Sequence, residues 1–321
     1  MSGCTRRFGD HEPVRYLVTG AAGFIGSHLA EALQARGDDV VGVDSFNDYY
    51  DPALKEENAR GLDVRRLDLA EEELDFVGFD GVFHLAGQPG VRSFGDVFPL
   101  YLRRNVLASQ RVFEAAARDG VRVVFASSSS IYGDAERYPT PEDTRPVPVS
   151  PYGITKLACE HLLRAYERSF DLDTVALRYF TVYGPRQRPD MFFRRVVDAL
   201  VEGGTVDLYG SGEQSRSCTY VDDAVEATIA AMERAVRGAV YNVGGGEEAS
   251  VLEAISVLER ISGRTLDVRR AARAAGDVTR TRADVDRIEA DLGWRPTTSL
   301  EDGLGAQWSW ARQRTRPVSS A

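Results

Sequence analysis

Thr19-Gly20-Ala21-Ala22-Gly23-Phe24-Ile25-Gly26 is the stretch whose reading decides the fold. The apolar run Tyr16-Leu17-Val18-Thr19 precedes it and reads as a buried strand. A helical pattern comes next, with Ile25, Leu29 and Leu33 on one face and Gly37 as its stop. Val40-Val41-Gly42-Val43-Asp44 is the next strand, ending in an acid. Glycines between a strand and a helix, with that acid beyond, make a phosphate-binding turn. Gly20 allows the tight turn, Gly23 lets a pyrophosphate approach the amides at the positive helix end, and Gly26 permits close packing of helix on strand. Asp44 is placed to accept hydrogen bonds from ribose hydroxyls, and its charge repels a 2′-phosphate. NAD is therefore favoured over NADP.

Outward from this turn, further strands read at 64–68, 81–86, 121–126 and 174–179. Helical segments lie between them, notably Asn105 to Arg118 and Tyr152 to Ser169. Strands alternating with helices predict an α/β protein with a doubly wound parallel sheet of the Rossmann kind. After Tyr183 the texture loosens. Helices are expected at 192–201, 222–235, 250–262, 284–292 and 300–312, with a strand at 206–209. A further strand at 239–243 could rejoin the first sheet, which would interleave a smaller C-terminal substrate domain with the first. The expected division is 12–181 plus 220–246 for the cofactor and 182–219 plus 247–316 for the substrate. Residues 1–11 and 317–321 are expected to be loose tails.

Composition narrows the function. The chain has 321 residues, 39 basic and 49 acidic, for a net charge of −10. That balance argues against nucleic acid and anionic membrane surfaces as partners. No apolar run approaches the roughly 20 residues of a membrane span. Cys4, Cys159 and Cys218 are odd in number and lack metal-ligand spacing, so they read as free thiols, with no structural metal expected. A cytoplasmic protein is expected.

The chemistry concentrates in Ser150-Pro151-Tyr152-Gly153-Ile154-Thr155-Lys156. Four residues make about one helical turn, so Tyr152 and Lys156 share a face. A phenol with a pKa near 10 is a poor base at neutral pH. A nearby ammonium stabilises the phenolate and makes it a usable base. Upstream, the strand at 121–126 runs into Ser127-Ser128-Ser129-Ser130-Ile131-Tyr132-Gly133, which puts hydroxyls at the ligand end of a parallel sheet.

With Gly-x-x-Gly-x-x-Gly at 20–26 and Tyr-x-x-x-Lys at 152–156, the chain resembles the extended short-chain dehydrogenase/reductase family, in its nucleotide-sugar branch. His84-Leu85-Ala86-Gly87-Gln88, Asp68-Leu69, Tyr179 through Pro185, and Arg216 through Asp223 extend the likeness over most of the chain. The resemblance implies Ser128, Tyr152 and Lys156 as catalytic residues. It implies a cofactor set of Gly20, Gly23, Phe24, Ile25, Gly26, Asp44, Asp68, Leu69, Leu85, Ala86, Tyr152, Lys156 and Tyr179. Arg216 is the expected grip on the substrate diphosphate, a task that suits a permanently charged fork. Relatives carry Arg-x-Gly-Asp where this chain has Ala274-Ala275-Gly276-Asp277, so either Arg273, one residue early, substitutes through a local shift or that contact is missing, with Asp277 as a further candidate.

Family members begin by oxidising C4 of the sugar, and neighbouring groups decide the fate of the 4-keto sugar. Dehydratases have Asp-Glu after the catalytic Thr, and uronate decarboxylases carry a Glu at that strand end. Here Ser128-Ser129-Ser130 supplies no acid, which favours simple C4 epimerisation. Asn47 through Lys55, Gly90-Val91-Arg92 and Arg188-Pro189-Asp190-Met191 resemble UDP-glucuronate 4-epimerases, and Thr181 stands where UDP-galactose 4-epimerases usually have Asn. A C6 carboxylate would then meet Ser129, Ser130, Thr181 and Arg188. UDP-glucose epimerisation, UDP-glucuronate decarboxylation and a binding protein without turnover are the alternatives. His84 reads as a core residue, His28 and His161 lack partners at metal spacing, and Trp294, Trp308 and Trp310 read as packing. The family's usual dimer, built on the helices at 105–118 and 152–169, implies a homodimer, with Val106, Val112, Phe113, Leu157, Leu162 and Leu163 as support.

Overall fold

The computed structural model describes residues 13–91, 94–272 and 278–314. The first half alternates β1 (Arg15–Thr19), α1 (Phe24–Ala35), β2 (Asp39–Asp44), α2 (Pro52–Asn58), β3 (Asp63–Arg66) and β4 (Gly81–His84). A short α3 (Phe98–Tyr101) passes through a π-helical turn (Leu102–Leu107) into α4 (Ala108–Asp119). Then come β5 (Arg122–Ser128), α5 (Pro151–Phe170) and β6 (Thr174–Tyr179). The rest comprises β7 (Thr181–Tyr183), α6 (Phe192–Glu202), β8 (Thr205–Tyr209), β9 (Ser215–Tyr220), α7 (Val221–Arg234), β10 (Ala239–Val243), β11 (Glu248–Ser250), α8 (Val251–Ser262), β12 (Asp267–Ala271), β13 (Arg280–Thr281), α9 (Asp286–Leu292) and α10 (Leu300–Arg314).

Seven strands form one parallel sheet in the order β10-β6-β5-β4-β1-β2-β3. This is the doubly wound α/β fold. β4, β5 and β6 are close to uniformly buried because helices cover both faces. One face is closed by α1 and α7 around Val18, Leu29, Val175 and Leu177. The other is closed by α4 and α5 around Val82, Val112, Phe113, Phe125 and Leu163. Strand order reverses between β1 and β4, and a crevice opens at their carboxyl ends, where such folds bind ligands. β10 pairs with β6 in register Ala239 to Val175 through Val243 to Tyr179.

Smaller sheets form beyond the crevice: β7, β11 and β13 all pair with β9, and β8 pairs with β12. They pack with α6, α8 and α10 around Val196, Val197, Leu258, Leu304 and Trp308. The chain then returns to the large sheet, where Ala283, Val285, Ile288, Leu292 and Trp294 join its first core.

Several expected boundaries move. The strand expected at 64–68 ends at Arg66, and that expected at 81–86 ends at His84. Asp68, Leu69, Leu85 and Ala86 are therefore on the loops leaving the sheet. The helix expected from Asn105 is continuous with the helical segment that begins at Phe98. The α2 helix was not expected; Asp51 starts it by accepting from the Ala53 amide at 2.9 Å, with Pro52 at its first position. β9 lacks the apolar run that marks a buried strand, since its sequence is Ser-Arg-Ser-Cys-Thr-Tyr. Val112, Phe113 and Leu163 are buried within the chain's own core, so they are not available as an outer dimer surface.

Candidate active site

Gly20 begins the crevice with φ +72°, a left-handed conformation that favours glycine. A Cβ at Gly26 would lie 2.1 Å from the Gly20 carbonyl oxygen, so the first turn of α1 packs directly on the loop. Asp44 accepts from the amides of Phe46 at 2.8 Å and Ala22 at 3.2 Å. Burial pushes its carboxyl above the usual range, while those two amides and the Lys55 charge oppose the shift. The Asn58 amide donates to the Ala22 carbonyl at 3.1 Å and pins the loop from α2.

A second chain of bonds fixes the floor. The Ala86 amide donates to Thr19 Oγ1 at 3.1 Å, and that hydroxyl lies 2.8 Å from His84 Nδ1. His84 Nε2 lies 2.9 Å from Ser109 Oγ. Burial, aided by the Lys156 charge, pushes the His84 pKa down to about 3. The ring is therefore neutral, with one nitrogen donating and the other accepting between Thr19 and Ser109. His84 is a core residue that holds Ala86, and no metal chemistry attaches to it.

The reacting groups meet where β5 and α5 converge. Successive residues of a strand face opposite ways, and β5 uses this at its end. Ser127 points into the protein and donates to Glu160 Oε1 at 2.5 Å. Ser128 points into the crevice, accepts from the Ser130 amide at 3.2 Å and lies 3.1 Å from Ser130 Oγ. Ser150 caps α5 by accepting from the Gly153 amide at 3.1 Å, which puts Tyr152 in the first helical turn. Gly153 makes the approach possible, because a Cβ there would stand 2.4 Å from the Ser130 carbonyl oxygen. Lys156 is buried, donates to the Ala126 carbonyl at 2.8 Å, and has its Nζ 5.9 Å from the Tyr152 ring centre.

Asn105, inside the π-helical turn, braces this corner. Its Oδ1 accepts from the Gln88 amide at 2.6 Å, and its Nδ2 donates to the Gln88 carbonyl at 3.1 Å and to Thr155 Oγ1 at 3.0 Å. Such turns occur often at functional sites. Behind them, Glu160 and Arg178 form a buried bidentate pair, with Nε to Oε1 at 3.0 Å and Nη2 to Oε2 at 2.8 Å.

Two adjoining cavities occupy the crevice. The first, of about 270 Å³, is lined by every residue of the expected cofactor set: Gly20, Gly23, Phe24, Ile25, Gly26, Asp44, Asp68, Leu69, Leu85, Ala86, Tyr152, Lys156 and Tyr179. The second, of about 490 Å³, is lined by Ser129, Ser130, Thr181 and Arg216. Ser128, Tyr152 and Arg188 line both. Arg216 donates to the backbone carbonyls of Ser215 at 2.8 Å and Val278 at 2.7 Å. Tyr179 turns its hydroxyl away, to Thr228 Oγ1 at 2.5 Å. Asp68 accepts from Arg103 at 2.8 Å and from the Ala70 amide at 2.9 Å. Arg273 and Asp277, with Ala274 between them and Arg92 earlier in the chain, lie outside the described residues. Tyr50, Lys55 and Arg104 also line the first cavity; the first two lie in the stretch from Asn47 to Lys55 that carries the likeness, but none was expected as a cofactor residue. Lys55 is buried, bonds the Asn47 carbonyl at 2.7 Å and sits 4.8 Å from the Tyr50 ring centre. The acid at Asp44 was the available signal for a cation beside it.

A family model described as "NAD dependent epimerase/dehydratase family" matches residues 16–244. The chain belongs to that family. An uncharacterized UDP-glucose epimerase, YtcB, of Bacillus subtilis (strain 168) is 41% identical over 303 residues, covering 91% of this chain and 96% of that one. The crystal structure of UDP-glucuronic acid 4-epimerase from Bacillus cereus, in complex with UDP-glucuronic acid and NAD, superposes with a TM-score of 0.90 at 40% identity, covering 94% of this chain and 100% of that one. MoeE5, solved with UDP-glucuronic acid and NAD, superposes at 0.86 with 43% identity, covering 94% of this chain and 99% of that one. It has also been solved with UDP-glucose and NAD.

The residues present fit the family's cofactor. A glycine cradle that side chains would fill and a buried carboxylate at the end of β2 suit a dinucleotide with a free ribose 2′-hydroxyl. Among the described residues no helix is long and apolar enough to cross a membrane, and no group of at least three His, Cys, Asp or Glu could hold a metal ion.

Proposed function

We propose that this chain epimerises C4 of UDP-glucuronate to give UDP-galacturonate. The observation that carries the reading is the acid-free hydroxyl run Ser128-Ser129-Ser130, which lines the second cavity together with Tyr152, Thr181 and Arg188. The likeness to the Bacillus cereus enzyme supports the same sugar.

NAD, when bound, would supply the reversible hydride exchange at C4. Tyr152 takes the proton of the C4 hydroxyl and later returns it. Ser128 turns its O–H from Ser130 toward the reacting oxygen and bonds it as the carbonyl forms. Lys156, fixed by the Ala126 carbonyl, holds a ribose of the cofactor. Asp44, Lys55 and the glycine loop hold the adenosine and pyrophosphate. Arg216 and the segment around Arg273 and Asp277 serve the UDP diphosphate.

The 4-keto form of a glucuronate is a β-keto acid, which loses CO2 when its C–COO bond aligns with the carbonyl π system. Ser129, Ser130 and Thr181 provide short donors that fix the carboxylate away from that alignment. No Asp or Glu stands at the end of β5, the place where the resemblance puts the eliminating acid of dehydratases.

The chain divides functionally into 12–181 plus 220–246 for the cofactor and 182–219 plus 247–316 for the substrate, with 283–294 packed back onto the cofactor unit. A homodimer is supported by the exposed apolar side chains Phe98, Leu102, Leu107 and Ile154 on α3, the π-helical turn and α5. A cytoplasmic location accords with a nucleotide-sugar substrate. UDP-glucose is the second substrate to consider, because MoeE5 has been solved with both sugars.

The mechanism is tested with UDP-glucuronate deuterated at C4. The product is expected to keep its deuterium at C4, as read by NMR. Washout of that deuterium to solvent would contradict return of the same hydride to C4.

A further inference from the structure

The junction of the two cavities holds a pair that the chemistry above leaves unexplained. Arg188 lines both cavities, yet its guanidinium is already engaged. Nε donates to Asp190 Oδ1 at 3.0 Å and Nη2 donates to Oδ2 at 3.1 Å. The Tyr49 hydroxyl, from the loop after β2, donates to the same Oδ2 at 3.3 Å. Asp190 and Tyr49 both line the second cavity. An arginine meant simply to seize a substrate carboxylate would offer it an open fork. Here an acid two residues along the same loop already occupies one edge of that fork.

We infer that Asp190 is a specificity-determining and positioning residue: it holds Arg188 at the junction and damps its charge, so that a sugar with a C6 carboxylate is recognised without being pinned. The inference rests on the proposed epimerisation of a UDP-hexuronate. Inverting C4 requires the 4-keto sugar to present both faces to the same reacting groups. Its C6 group must therefore leave one set of contacts and take up another. A bidentate, charge-assisted grip on one pose would deepen that well and raise the barrier to rotation. Asp190 occupies the Nε–Nη2 edge, so a substrate carboxylate can approach only the Nη1–Nη2 edge, next to a charge that is already half neutralised. Ser129, Ser130 and Thr181 add neutral hydroxyls that keep the carboxylate off the carbonyl alignment within each pose and can reorient between poses. Tyr49 anchors Asp190 from the opposite loop, so the acid stays on the arginine. A neutral C6 hydroxymethyl group feels little of this, and the effect belongs to the uronate alone.

The test uses full-length protein carrying NAD, with Tyr152→Phe to stop turnover. Calorimetry gives affinities for UDP-glucuronate and UDP-glucose with and without Asp190→Asn. Removing one neutralising and repelling charge is expected to tighten UDP-glucuronate about fivefold and to leave UDP-glucose within about twofold. With Tyr152 intact, Asp190→Asn is expected to lower both kcat and KM for UDP-glucuronate, and Asp190→Glu to restore them. Unchanged or weaker UDP-glucuronate binding, parallel changes for the two sugars, or tighter binding without a fall in kcat would each overturn the inference. Failure of the otherwise unsubstituted protein to bind or epimerise UDP-glucuronate would instead sink the functional reading. That control is read before any Asp190 variant is compared.

Discussion

Ser128 and Ser127 are neighbours with opposite fates, because one faces the crevice and the other donates to the buried Glu160. Which hydroxyls enter the crevice is thus set by the alternation of β5, and Ser129, Ser130 and Thr181 join Ser128 in lining the second cavity. If these three hydroxyls hold the carboxylate out of alignment, replacing all of them by Ala should release part of the substrate as UDP-pentose and CO2. Product ratios by NMR would show it; the unsubstituted ratio would remove that role from them. At this scale the sequence was informative wherever a residue belongs to a spaced motif. Gly20, Gly23, Gly26, Asp44, Tyr152 and Lys156 all line the first cavity. Lys55 and Asn105 were harder to see, since each acts through a buried contact that no spacing reveals. Nor did a lone arginine in a polar loop disclose that Arg188 is paired with Asp190.

At the scale of elements, the site depends on how α5 meets the end of β5. Gly153 is the close point, with no room for a Cβ against the Ser130 carbonyl. Gly153→Ala is expected to push the first turn of α5 outward and destabilise the fold by about 1–3 kcal/mol, as overpacking does. Turnover should fall while bound NAD, read by absorbance after release, stays near the parent content. Unaltered kcat would mean that the contact does not position Tyr152. β4 contributes differently. His84 is held neutral, with its pKa pushed down to about 3 from an ordinary value near 6.5. Between those values the unfolded chain binds the extra proton, so stability rises with pH and falls on acidification. At pH 5 this amounts to about 2 kcal/mol. His84→Gln should therefore lose less stability than the parent between pH 7 and pH 5 in urea titrations, and equal losses would contradict it. Elements with strong apolar periodicity were legible, and β6 and β10 fall at their expected residues. The short polar strands β7, β9, β11 and β13 were not, because pairing with neighbours rather than their own composition makes them strands.

At the scale of the whole molecule, the acidic balance returns as a constraint on the site. A protein with net charge −10 is asked to take a substrate carrying a diphosphate and a carboxylate. The overall field repels such a ligand, so recognition must be local. The molecule concentrates donors in the crevice, where Lys55, Arg104, Lys156, Arg188 and Arg216 line the two cavities. The doubly wound sheet opens that crevice at its point of strand reversal, and the smaller sheets supply the opposite wall. The return of the chain to the large sheet at β10 was foreseeable from its apolar run ending in glycines. Its further return at 283–294 was not, since a short helix with one apolar face can pack on either unit. The central claim joins all three scales, because hydroxyls, helix placement and crevice together are said to invert C4 of a uronate without losing its carboxyl carbon. The most direct measurement is proton NMR of the purified protein incubated separately with UDP-glucuronate and UDP-glucose. UDP-galacturonate growing in from UDP-glucuronate to an equilibrium mixture, with no pentose and little conversion of UDP-glucose, is the expected result. UDP-pentose as the main product, or galactose forming while the uronate stays unchanged, would contradict it.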